Sequence, residues 1–222
     1  MPVITFASSK GGAGKTTSAI ILATTLARKI GVVVIDADPA QRLMSWSIKA
    51  TVPGRLTIQK CQGELQIRAE IDRAKQTAEY VIIDLEGAAT RLNAYVMGES
   101  DLVIIPMGDE QPDAEGAIET LAKLALEART MRREISARIL FARTEEKTLK
   151  SKLAQSINAE MREKVRVLPM EVHNRTAFSS LHASGGTLYG MDPEEVDGLA
   201  KAIANAEIFA EEVIQALGSP YH

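Results

Sequence analysis

The chain has 222 residues, 45% hydrophobic and 25% charged, with a formal net charge of -3; this is the composition of a globular protein able to bury one sizeable core, not of a disordered or fibrous chain. A lone cysteine, Cys61, excludes an internal disulfide, a CxxC redox pair and a cysteine metal cage, and the three histidines (His173, His182, His222) have no metal-ligand spacing. No apolar run approaches the ~20 residues of a membrane span, and the N-terminus MPVITFASSKGG lacks a basic signal-peptide start, so a reducing, cytoplasmic location is expected.

The first apolar run, Val3–Ala7, is a predicted strand, and it leads into Ser8-Ser9-Lys10 and then Gly11-Gly12-Ala13-Gly14-Lys15-Thr16-Thr17. The P-loop pattern is GxxxxGK[ST]; the span beginning at Ser9 has serine in the first position but keeps the terminal Gly-Lys-Thr. Glycines let backbone N–H groups turn inward around phosphate oxygens, and the helix that follows adds the positive end of its dipole. In that pattern Lys15 faces the β- and γ-phosphates and the Thr16 hydroxyl holds Mg²⁺. A helix is predicted over Lys15–Lys29, then a strand over Val32–Ile35 that delivers Asp36 and Asp38, with Pro39 and Ala40 after them.

A weaker strand covers Leu56–Gln59, a helix Leu65–Thr77 and a strand Tyr80–Ile83 that ends on Asp84, the pattern of a carboxylate placed to hold a Mg²⁺ water. A strand at Leu102–Pro106 and a helix near Ala114–Arg129 come next. Further predicted elements are strand Ala137–Ala142, helix Leu149–Glu163 and strand Val165–Leu168. Asp192-Pro193-Glu194-Glu195 reads as the capped start of a last helix running to about Leu217, where Gly218 and Pro220 stop it. Ile208, Phe209, Val213, Ile214 and Leu217 read as its core face, and the absence of Lys or Arg after Lys201 argues against an anionic membrane as its partner.

Continuous apolar strands alternating with helices predict an α/β fold, one doubly wound, mostly parallel sheet with helices on both faces. Ligands in such sheets bind at the carboxyl ends of the strands. No linker or repeat divides the chain, so residues 1–222 are expected to form one P-loop domain, with no room before the first strand for a helix-turn-helix domain.

Charge is unevenly placed. Residues 129–175 hold twelve basic and six acidic side chains, against fourteen and twenty-three in the remainder. That asymmetry suits either solvated helix faces or a footprint for a polyanion.

The string Lys10-Gly11-Gly12-Ala13-Gly14-Lys15-Thr16-Thr17 is more specific than a generic P-loop and resembles the deviant Walker A box of the ParA/MinD ATPases. Asp36-Ala37-Asp38-Pro39-Ala40 is similar to that family's DxDPQ box, with Ala40 in place of Gln. Asp84-Leu85-Glu86-Gly87 departs from the usual D-x-P-P or D-x-P-G and resembles a sub-branch containing the small ParA proteins of agrobacterial plasmids and VirC1, a T-DNA transfer factor. The family's later signposts are matched by Arg143-Thr144, by Leu168-Pro169-Met170, and by the stretch from Arg175 and Phe178 to Gly186 and Leu188.

The resemblance implies a Mg²⁺-dependent ATPase. Lys10 is implied to reach the partner's nucleotide across an ATP-dependent homodimer, Asp38 to orient the attacking water, and Asp36 to support the Mg²⁺ shell with Asp84. It further implies a base contact from the loop near Pro169, and partnership with nonspecific DNA and a small ParB-like centromere-binding adaptor; for Arg143 three readings stand, stacking on the base, facing DNA, or a structural surface arginine. The basic candidates for DNA are Lys147, Lys150, Lys152, Arg162, Lys164, Arg166 and Arg175. A DNA-transfer recruitment ATPase like VirC1 and a metabolic P-loop ligase are the alternatives. A ligase would turn over ATP quickly with a small acid and ignore DNA.

Overall fold

The computed structural model describes residues 1–49, 51–87, 90–146 and 149–218. Seven strands form one sheet: β1 (Val3–Phe6), β2 (Val32–Ala37), β3 (Leu56–Lys60), β4 (Tyr80–Leu85), β5 (Leu102–Met107), β6 (Ala137–Thr144) and β7 (Val167–His173). Their order is β3-β2-β4-β1-β5-β6-β7, and every neighbouring pair is parallel. The helices are α1 (Lys15–Leu26), α2 (Arg42–Ser47), α3 (Ile67–Thr77), α4 (Arg91–Glu99), α5 (Gln111–Met131), α6 (Lys152–Lys164), α7 (Thr176–Ser184) and α8 (Leu199–Gly218).

Strand side chains alternate between two buried layers, as the two-residue period of a strand requires. Ile4, Phe6, Val32, Val34, Ile82 and Ile104 pack with α1, α7 and α8 on one face. Val33, Ile35, Val81, Ile83, Val103 and Ile105 pack with α3, α4, α5 and α6 on the other. The α/β architecture read from the sequence is therefore present as a three-layer sandwich, and burial on both faces explains why the central strands read as unbroken apolar runs.

Three details differ from the sequence reading. The last helix starts at Leu199, not at Asp192. Asp192 closes a local turn by accepting the Glu194 N–H on its side chain and the Glu195 N–H on its carbonyl, and Gly198, at φ +71°, interrupts the path into the helix. Within α8, Phe209 and Val213 are fully buried, whereas Ile208 and Ile214 are 48% and 41% exposed, so the core face is narrower than the composition suggested. β7 runs on to His173 through register shifts against β6, so Pro169 sits inside an edge strand, one of the settings in a sheet where a residue without an N–H is tolerated.

Candidate functional site

The carboxyl ends of β1, β2 and β4 meet at one point of the sheet. Register pairs Phe6 with Asp84 and Asp36 with Asp84, which brings the segment after β1 and both carboxylates together. The loop from Ser8 to Gly14 then turns into α1. Gly12 (φ +77°) and Gly14 (φ +98°) take the left-handed conformations that a side chain resists, and no side chain caps α1. The helix N-terminus borders a cavity of about 310 Å³ lined by Gly12 to Thr17, Arg42, Arg143 and His182.

Lys15 and Thr16 are buried at the floor of this cavity. Thr16 Oγ1 donates to Asp84 Oδ2 at 2.7 Å, while the other carboxylate oxygen, Oδ1, is buried with no partner among the described residues. Burial pushes the Asp84 carboxyl up to about 7, and nearby Asp36 and Asp38 add to that, against the Thr16 hydrogen bond and Lys15. Burial likewise lowers the Lys15 ammonium, opposed by Asp84 and then Asp38. A desolvated carboxylate with an unused oxygen beside a threonine hydroxyl fits a hard cation. Among the described residues no three His, Cys, Asp or Glu side chains gather to hold a metal by themselves.

The two carboxylates of β2 have separate surroundings. Asp36 is buried and accepts from the N–H of Asp38 (3.3 Å) and of Met44 (2.9 Å), so its oxygens fasten the start of α2. Burial raises its carboxyl above the ordinary range. Asp38 uses one oxygen on the Ala40 N–H (2.9 Å) and turns the other toward Arg42 Nη1 (3.8 Å).

Ser9 and Lys10 are stitched to one face of α5. The Ser9 N–H donates to Thr120 Oγ1, Ser9 Oγ donates to the Gly116 carbonyl, and Lys10 Nζ pairs with Asp113. Positions 113, 116 and 120 share a helix stripe, so α5 holds the leading edge of the loop. The Lys10 side chain remains 38% exposed at the rim.

Arg143, at φ +60°, lies across the loop, and its guanidinium donates to the Gly12 carbonyl. It lines both this cavity and an adjoining one that reaches Val172, His173, Asn174 and Phe178. Pro169 is not there. It lines a different and larger cavity between β7, α6 and α8, whereas the strand end at His173, four residues later, reaches both cavities.

The basic candidates are unequally placed. Lys147 lies outside the described residues. Lys150 is withdrawn from any DNA surface: its side chain is 4% exposed and its ammonium is held by Glu171 (2.5 Å) and Asp109 (3.7 Å), over the Phe141 ring. Arg162 is also committed to Glu171 and Phe141, and Arg175 to Glu146. Lys152, Lys164 and Arg166 are exposed, Lys164 beside Glu160 one helical turn away.

His182, Arg42 and Trp46 were not singled out by sequence reasoning, yet His182 and Arg42 line the cavity and Trp46 packs behind them. Trp46 is buried and donates from Nε1 to the Gly186 carbonyl (3.0 Å), tying α2 to the end of α7. Nothing in the spacing of these residues marks them, since they meet only through the fold.

A family model described as "VirC1 protein" matches residues 1–196. The chain belongs to the VirC1 family. It also falls within the ParA family, as its Walker A box suggested. Protein ParA of Rhizobium radiobacter is 35% identical over 219 residues, 98% of each chain. Protein virC1 of the same organism is 28% identical, over 96% of this chain and 95% of that one. The crystal structure of a putative plasmid partition protein from Borrelia burgdorferi bound to AMPPNP superposes with a TM-score of 0.73 at 20% identity, over 96% of this chain and 98% of that one, and shares the fold.

Proposed function

We propose that this VirC1-family protein is a Mg²⁺-dependent ATPase acting as an ATP-gated dimer switch in DNA partition. The observation that carries the reading is the buried constellation of Lys15, Thr16 and Asp84 beneath an uncapped helix N-terminus, with one Asp84 oxygen unused. Thr16 and Asp84 would hold the Mg²⁺, which would neutralise charge on the β- and γ-phosphates. The chain's own residues then divide the work. Loop amides and Lys15 bind the phosphates, Asp38 orients the attacking water, and Asp36 fixes the helix that follows Asp38.

Lys10, whose ammonium pairs with Asp113 at the rim of the loop, would leave its own subunit and meet a partner's nucleotide. It would act as a cation supplied in trans to charge developing on the phosphoryl group. Lys10→Ala is expected to bind ATP with near wild-type affinity yet remain monomeric. Light scattering with Mg²⁺-ATP checks this, and a normal ATP-dependent dimer would count against the trans role.

A partition role is favoured by the Rhizobium radiobacter ParA, which aligns across nearly the whole of both chains. In this reading the partners are nonspecific DNA and a small ParB-like adaptor that stimulates hydrolysis. Dimerisation would join two copies of the basic surface carrying Lys152, Lys164 and Arg166. Doubling the phosphate contacts raises nonspecific affinity steeply without changing any charge. Reversing Lys152 and Lys164 to Glu should weaken binding to random duplex DNA roughly tenfold or more in low salt and reduce the salt slope. ATP affinity should stay the same. A mobility-shift titration at two salt concentrations measures both effects, and unaltered DNA binding would remove this surface from the account. Among the described residues no helix is long and apolar enough to cross a membrane.

The family model itself favours a second reading, a recruitment ATPase for DNA transfer. The two part in vivo: deletion of a partition ATPase raises loss of its replicon at cell division, whereas deletion of a transfer factor lowers transfer and leaves inheritance intact.

A further inference from the structure

Thr17 sets a problem that the nucleotide reading leaves open. A threonine hydroxyl within a helix commonly donates to the carbonyl one turn back, as Thr24 does to Ile20 (2.7 Å). Thr17 Oγ1 instead lies 2.7 Å from His182 Nε2, on a helix 165 residues away in the chain. Both side chains line the phosphate cavity and also the adjoining cavity beyond Arg143. They therefore stand at the junction of the phosphate end and the opposite end of the site, past Lys15 and Thr16. A phosphate at that junction is the one nearest the ribose, which ATP and ADP share.

We propose that His182 is a positioning residue of the nucleotide site, donating from Nε2 to Thr17 Oγ1 so that the Thr17 hydroxyl proton points at the phosphate nearest the ribose. This rests on the nucleotide reading above. A hydroxyl has one proton and two lone pairs. If Nε2 accepts from Thr17, the lone pairs of Thr17 face the cavity and repel a phosphate oxygen. If Nε2 carries the proton, the hydroxyl proton is released toward the ligand. An anionic ligand therefore selects the arrangement in which His182 donates.

The surroundings keep the ring in place and uncharged. Lys49 Nζ donates to the His182 carbonyl (2.6 Å), and the Trp46–Gly186 bond holds the end of α7. Burial pushes the imidazole below its ordinary range, with Lys49 and Arg42 adding to that. Near neutral pH it then has a single N–H, and the placement of that proton decides which way Thr17 points.

Equilibrium titration with fluorescent ATP and ADP analogues tests the proposal in five variants, with Trp46, the sole tryptophan, reporting native packing of α2 against α7 by its emission. His182→Leu should weaken ATP and ADP by the same factor, about tenfold, the scale of one hydrogen bond to a charged group. His182→Gln keeps an amide N–H and should recover most of that loss. His182→Glu can only accept and should bind worse than His182→Leu. The double variant Thr17→Val, His182→Leu should bind no worse than Thr17→Val alone, because both changes remove one interaction.

Wild-type affinity in His182→Leu, equal losses in the Gln and Leu variants, or additive losses in the double variant would overturn the role of His182 while leaving the ATPase reading intact. If the wild-type protein and Lys15→Ala bound both analogues equally, the nucleotide reading and this inference would fall together.

Discussion

Lys15→Ala is expected to lower ATP affinity by about 100-fold or more. Lys15 is buried at the floor of the cavity with Asp84 and Asp38 as its nearest opposite charges. A buried ammonium aimed at two phosphates forms charge-assisted hydrogen bonds, each worth ~1.5–3 kcal/mol, and every ~1.4 kcal/mol is tenfold in affinity. The loop amides cannot replace it, since they carry partial charge only. The loss should be larger for ATP than for ADP, because the γ-phosphate contact exists in ATP alone. Titration with a fluorescent analogue, with thermal unfolding as a control for folding, measures this. Unchanged affinity would remove the phosphate-site assignment at its root.

The second large effect belongs to Asp38. Asp38→Asn should bind ATP within a few fold of wild type and still dimerise, while its hydrolysis falls about 10²- to 10⁴-fold, the range of a lost general base or water-positioning group. Asn is the informative substitution. The Asp38 carboxylate also accepts from the Ala40 N–H, and an amide oxygen preserves that turn, so a loss of turnover in Asn reports on the carboxylate and not on the loop. Wild-type turnover in this variant would assign the water to another group.

The fold was legible because its strands are short, apolar and regularly spaced. Buried on both faces, they could not be mistaken for exposed hairpins, and each observed strand covers a predicted one to within a few residues, apart from the C-terminal extension of β7. The P-loop was legible for a different reason. Phosphate binding by backbone amides needs glycines at fixed offsets, and the φ values of Gly12 and Gly14 show why. The segments that escaped were those whose state depends on partners distant in sequence. Asp192-Pro193 has every local mark of a helix start, but local marks cannot weigh Gly198. Lys150 carries the same charge as Lys152 in the text, yet Glu171 buries one and the other stays exposed. His182 gives no signal at all, because its meaning arises only where α7 reaches α1.

The role of Asp36 shows the same limit within the site. Two carboxylates two residues apart on a strand share a face, and spacing alone does not divide their tasks. In the structure the Met44 N–H engages Asp36, while Asp38 faces Arg42.

Binding to random-sequence duplex DNA, compared in Mg²⁺-ATP and Mg²⁺-ADP at one low and one higher salt concentration, tests the central claim most directly. The account predicts a shifted complex with ATP, little or none with ADP, and steep loss of the ATP complex as salt rises. Equal binding in the two nucleotide states, or none in either, would contradict the ATP-gated switch even if the protein hydrolyses ATP.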